Sequence, residues 1–216
     1  MAASAAAGRL PLRFARTIAR GAHTLRPSVL LLALAGFAIV AGAANAQMIP
    51  KQKGATRVMG LFDFLCLKQL PDLNGIERAA GFGEYDQLTG GDLAPYAPAT
   101  PSEKLFGWRY HDHGEEFVLI ARRARPDADF AKREPAFAAA METSCTLHVL
   151  AAKHDTLLGE LTRVMGRKPD QTLQEGSMHV YAWTHRRADA LSYVRYYMPE
   201  NAGAKAMLNA SVFVKK

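Results

Sequence analysis

Only two cysteines, Cys66 and Cys145, occur in 216 residues, so at most one intramolecular disulfide can form. The chain has no Gly-rich phosphate loop, no paired-carboxylate signature, no Gly-x-Ser-x-Gly elbow and no His-Glu-x-x-His helix. Without them no nucleotide-binding, glycosidase, serine-hydrolase or metalloprotease pattern can be followed, and no cofactor is expected. Repeats, coiled-coil heptads and low-complexity tracts are also missing from the sequence. Residues 1–46 lack any acidic residue but carry five arginines, at 9, 13, 16, 20 and 26.

That one-signed segment leads into Val29 to Ala44, an apolar run of 16 residues without a charge. A membrane span needs about 20 apolar residues, so the run fits the core of a secretory signal peptide better. The arginines ahead of it are the flank that stays cytoplasmic. Ala44-Asn45-Ala46 supplies small residues for signal peptidase, which places the cut before Gln47. The alternative is an uncleaved anchor. No cysteine lies near the cut, which argues against a lipid-anchored form, and no adjacent Arg-Arg pair marks a twin-arginine signal.

The expected organisation is therefore a signal peptide over 1–46 and a single domain over 47–216, with a loose lead-in at 47–57. The whole chain has 27 basic and 20 acidic residues, and losing five arginines leaves 22 against 20. Nothing in that balance calls for nucleic acid, and membrane contact is expected only through the signal peptide. An oxidising compartment favours pairing of the two cysteines over two buried thiols.

Val58 to Leu70 is nearly all apolar, with Met59, Phe62, Cys66 and Leu70 along one helical stripe, and Pro71 ends it. Asn74 and Glu77 have capping-box spacing for a short second helix stopping at Gly81. Gly83 to Pro101 reads as a long irregular loop. Strands are expected at 104–110 and 117–123, joined by a turn at His111-Asp112-His113-Gly114, and at 145–151. A loop with a short helix after Pro135 precedes the last of these. Asp155 begins an amphipathic helix whose stripe is Leu157, Leu158, Leu161, Val164 and Met165. Strands at 178–184, 191–198 and 206–214 follow. The expected fold class is α+β: an antiparallel sheet of about six strands with two or three helices packed on one face.

The export signal, the run GLFDFLCL at 60–67 and SCTL at 144–147 together resemble a group of exported proteins of Gram-negative bacteria. The resemblance implies a periplasmic or envelope location and a Cys66–Cys145 pairing. It implies no activity and transfers no catalytic residue.

His111 and His113, with Glu115 and Glu116, form the densest cluster of metal-type ligands. Two strand histidines at i, i+2 share a face, but zinc needs a third or fourth ligand, and a turn is polar in any case. Cys145 and His148 are three apart on a strand and point to opposite faces, so they do not form a nucleophile–base pair. Arg122, Arg123 and Arg125, then Arg186 and Arg187, are solvated strand ends or a seat for an anion such as a lipid headgroup or polyanionic saccharide. Phe106/Trp108/Tyr110 and Tyr181/Trp183 read as core. Tyr193, Tyr196 and Tyr197 occupy both faces of one strand, so some are expected at the surface or an interface. Three functions remain: a non-enzymatic domain binding an envelope ligand or protein, a metal-assisted or general-base enzyme using His111/His113, and an oligomeric envelope component. The sequence leaves the partner and the oligomeric state open.

Overall fold

The computed structural model describes residues 55–83, 85–112, 115–150, 154–201 and 204–215. The expected signal peptide and its cleavage site at Ala44, Ala46 and Gln47 lie outside these residues, as do His113 and most of the lead-in. Among the described residues no helix is long and apolar enough to cross a membrane.

Eight antiparallel strands, rather than about six, form one sheet: β1 (Asp86–Leu88), β2 (Lys104–Asp112), β3 (Glu115–Ala124), β4 (Met141–Val149), β5 (Gln171–Glu175), β6 (Met178–Arg186), β7 (Ala190–Pro199) and β8 (Ala206–Val214). Their spatial order is β1-β2-β3-β4-β8-β7-β6-β5. The two unexpected strands are the sheet's edges. Three-residue β1 is too short to alternate, and β5 is QTLQE, exposed throughout, with a single apolar residue. Its signal is the turn instead: Gly176, at φ 60°, and Ser177 join Glu175 to its partner Met178 in a two-residue hairpin.

One sheet face carries the main core. Trp108, Leu119, Leu147, Leu208 and Tyr196 follow one another across the strands in register and are all buried. The first helix, α1 (Ala55–Phe62), runs on as a π-helical turn over Asp63–Leu67, starting and ending earlier than the expected 58–70. Phe62, Leu65 and Cys66 are thereby buried together against the sheet. The second helix, α2 (Leu73–Gly81), is preceded by Asp72 at the N-cap, so the Asn74/Glu77 capping box is not the one used. Asp72 holds its carboxyl below the usual range, chiefly through the backbone N–H of Gly75, and it is ion-paired with Arg78 at 3.0 Å. On this same face, α5 (His154–Met165) buries Leu157 and Leu161 but leaves Val164 exposed, and it stops at Gly166, φ 68°.

Helices are not confined to that face. On the other face, α3 (Gly90–Leu93) and a 3₁₀ turn at Ala94–Tyr96 cover Leu88, Val118 and Ile120. Further along, α4 (Ala128–Arg133) and a 3₁₀ turn at Pro135–Phe137 cover Leu191 and Phe213. The α4 helix precedes Pro135, and its start is fixed by Asp127, whose carboxylate accepts from the Phe130 N–H at 2.6 Å.

The strand order is that of a duplicated array. Each half is a helix followed by a four-strand meander, α2 with β1–β4 and α5 with β5–β8, and the halves meet at the β4–β8 ladder. Cys145 and Ala210 pair at the midpoint of that ladder. The sequence shows no repeat because only the strand pattern, not side-chain identity, is shared between the halves.

Candidate functional site

Between the two covers, the second sheet face stays open. One cleft of about 560 Å³ lies between α4 and β5–β7, with Arg133, Glu134, Val180, Ala182 and Tyr193 among its walls. A second, of about 360 Å³, lies over β3, β4, β8 and β7 beside the Tyr96 turn. Arg195 and Tyr197 line both, so the two clefts adjoin along β7 and together form a trough across the sheet with these two side chains between its halves. Alternation builds its floor: residues facing away from the main core on four adjacent strands converge there, namely Arg122, Thr146, Asn209 and Arg195.

The charges of the trough are mostly spoken for. Arg122 donates from Nη2 to Glu142 at 2.8 Å and from Nε to the Ser144 hydroxyl at 3.1 Å. Burial pushes the Glu142 carboxyl above its usual range, and the Arg122 charge partly opposes that. Glu134 accepts from Arg186 and, at 3.2 Å, from the Tyr193 hydroxyl; the bond from Arg186 is the main reason its carboxyl is held low. Asn209 Nδ2 donates to Thr146 Oγ1 at 2.9 Å.

Two side chains stand apart. The Arg195 guanidinium lies over the Tyr193 ring, 4.7 Å from its centre, and makes no hydrogen bond or ion pair among the described residues. His148 meets Tyr96 edge-on at 5.1 Å, and burial, helped by Lys205, pushes its pKa down to about 4. The imidazole is therefore neutral near pH 7.

The residues singled out from sequence distribute as follows. Cys66 and Cys145 lie at disulfide distance, Sγ–Sγ 2.03 Å, while His148 is on the opposite face. His111 is exposed near the end of β2, opposite Glu116, which is ion-paired with Arg109 at 3.3 Å. His113 lies outside the described residues, and among those described no three metal-type ligands converge. The basic clusters do not form one seat: Arg122 is matched by Glu142, Arg186 by Glu134, and Arg187 donates to His185. Trp108 and Trp183 are core residues, Trp183 donating to the Arg167 carbonyl at 2.9 Å. The tyrosine strand is β7, inside the sheet; Tyr196 is buried in the main core while Tyr193 and Tyr197 wall the trough. Tyr193 and Tyr197 thus reach the surface, as expected for some of the three, while the strand's central place means that it offers no free sheet edge.

Arg195 was not among the sequence candidates. It stands alone between hydrophobic and aromatic neighbours, and its one signal is an arginine at an outward position of an otherwise apolar strand. Comparison with protein-family models, with curated proteins and with solved structures found no match to this chain.

Proposed function

We propose that the chain is an exported, non-enzymatic binding protein of the periplasm or envelope whose small ligand lies in the trough on the open sheet face. The observation that carries this reading is the adjacency of the two clefts, which share Arg195 and Tyr197 and have aromatic walls with a few polar groups on the floor. Export is supported by the arginine-flanked apolar run and by the cysteine pair at disulfide distance, which an oxidising compartment favours. A second reading, assembly through a sheet edge, rests on β5, whose five residues are all exposed. Sedimentation as a concentration-independent monomer would remove it.

The test uses the full chain expressed in a Gram-negative host. Fractionation should place the protein in the periplasm with Gln47 at its N-terminus, and native mass spectrometry should detect a retained small molecule. Thr184→Trp, which fills the first cleft from a partly exposed wall, should release that molecule without unfolding the domain. Peptides from residues 1–40 in the periplasmic fraction would count against export, and a ligand kept by the tryptophan variant would count against the trough.

A further inference from the structure

The duplicated sheet contains its own comparison for Arg195. Residues of β4 and β8 correspond at an offset of 65 (141 with 206, 149 with 214), turning on the Cys145–Ala210 pair. The next ladders carry the correspondence outward at an offset of 73, from 122 to 195: Arg122 paired with Ser144 becomes Arg195 paired with Asn209. The two arginines are thus equivalent residues on the same face, and both wall the second cleft.

Their surroundings differ in one respect that matters for charge. Arg122 has the Glu142 carboxylate at 2.8 Å, and the residue equivalent to Glu142 at the offset of 65 is Met207. Arg195 is left with the face of Tyr193 and no counter-charge bonded to it. Of the acidic groups in the trough, Glu142 feels the Arg195 charge but gives its hydrogen bond to Arg122, and Glu134 is held by Arg186 and Tyr193. A guanidinium drawn part-way out of water loses solvation that only an anion or a set of acceptors restores in full. Its planar fork suits the two oxygens of a carboxylate or phosphate.

We propose that Arg195 anchors an anionic group of the bound molecule, a carboxylate or phosphate, in the part of the trough walled by Met207 and Asn209. The ligand there supplies the charge that Glu142 supplies to Arg122 in the other half. The proposal rests on the trough reading and adds the ligand's charge class to it.

The test is a titration of the full chain, following arginine Nε–H signals by NMR at constant ionic strength. Sodium acetate and sodium phosphate are the probes, with acetamide as neutral control. The Arg195 signal should shift saturably with acetate or phosphate and not with acetamide, and the anion that saturates at lower concentration identifies the group. Met207→Glu places a carboxylate where the first half has one, and it should weaken anion binding by about tenfold or more. Arg195→Gln, read on the side-chain amide signals of Asn209 in the same cleft, should abolish it, and answers the same question if the glutamate variant does not fold. No saturable shift at Arg195 with either anion, or equal affinity in Met207→Glu and the unsubstituted protein, overturns the proposal. If neither anion moves Arg195 while Thr184→Trp still releases a retained molecule, the anion inference fails and the trough stands. If Thr184→Trp keeps that molecule, the trough fails first.

Discussion

Cys145, at the midpoint of the central β4–β8 ladder, is joined to Cys66 of the first helical segment, with their Cα atoms 5.3 Å apart. Both residues are fully buried. The bond therefore ties the N-terminal helix to the strand on which the two halves of the sheet turn. It closes a loop spanning 79 positions. The chain-entropy model values such a closure at about 4.5 kcal/mol, usually an overestimate. Replacing both cysteines by alanine should cost roughly 2–4 kcal/mol in denaturant unfolding. Mass after alkylation of denatured protein gives the direct check: no label before reductant and two after it. Two labels without reductant would show that the bond is not formed.

Leu161 is fully buried where α5 meets the core shared with α1 and the sheet. Leu161→Ala should destabilise the domain by about 2–5 kcal/mol, the cost of an unfilled cavity at a buried leucine. A loss under about 1 kcal/mol would mean that the helix does not lay this residue on the core.

What was legible in the sequence was whatever alternates or repeats at helical spacing. Phe117, Leu119 and Ala121, or Leu147 and Val149, declare a buried sheet face, and they face it. The edges escaped because β1 and β5 bury almost nothing, so the pattern that announces a strand is absent from them. Helices on the second face escaped because short segments such as Ala128–Arg133 bury single residues, here Phe130, rather than a stripe. The duplication was invisible for a different reason. Across 117–124 with 190–197 and 141–149 with 206–214, only Arg122/Arg195 and Val149/Val214 are identical. The trough depends on that hidden register, so its key residue emerges from the strand ladders rather than from neighbours in the chain.

At Gly107 the cover over the second face packs directly on the sheet. A Cβ there would stand 2.6 Å from Leu93 Cδ1 and 3.1 Å from Ile120 Cδ1. Gly107→Val should displace the segment carrying α3 and cost about 1–3 kcal/mol, as overpacking does. Gly91 offers the contrast, since a Cβ there meets nothing within 4 Å. Thermal unfolding of Gly107→Val and Gly91→Ala compares them; equal midpoints would show that the cover is not seated on Gly107.

His148 gives the trough a pH-dependent stability. Burial first, and the Lys205 charge second, bring its pKa down to about 4, against about 6.5 for an unfolded histidine. Between those values the unfolded chain binds a proton that the folded imidazole refuses, so stability rises with pH across the window. It is fully present above about pH 6.5 and lost as pH falls toward about 4, by at most about 3 kcal/mol. Glu142 works in the opposite sense, since its raised carboxyl pKa favours folding on the acid side. The two are separated by a variant that removes only the imidazole. At the offset of 65, the residue equivalent to His148 is Phe213, so phenylalanine is already accepted at this position of the array. His148→Phe keeps a ring to meet Tyr96, which the imidazole now contacts edge-on at 5.1 Å. Unfolding free energies of the two proteins, measured at intervals from about pH 4 to about pH 7, should converge at the upper end less the packing difference and diverge below, with the variant losing less. The contributions of Glu142 and of the other carboxylates cancel in the difference. A difference that stays constant over the window would show that the imidazole protonates in the folded state as readily as in the unfolded chain.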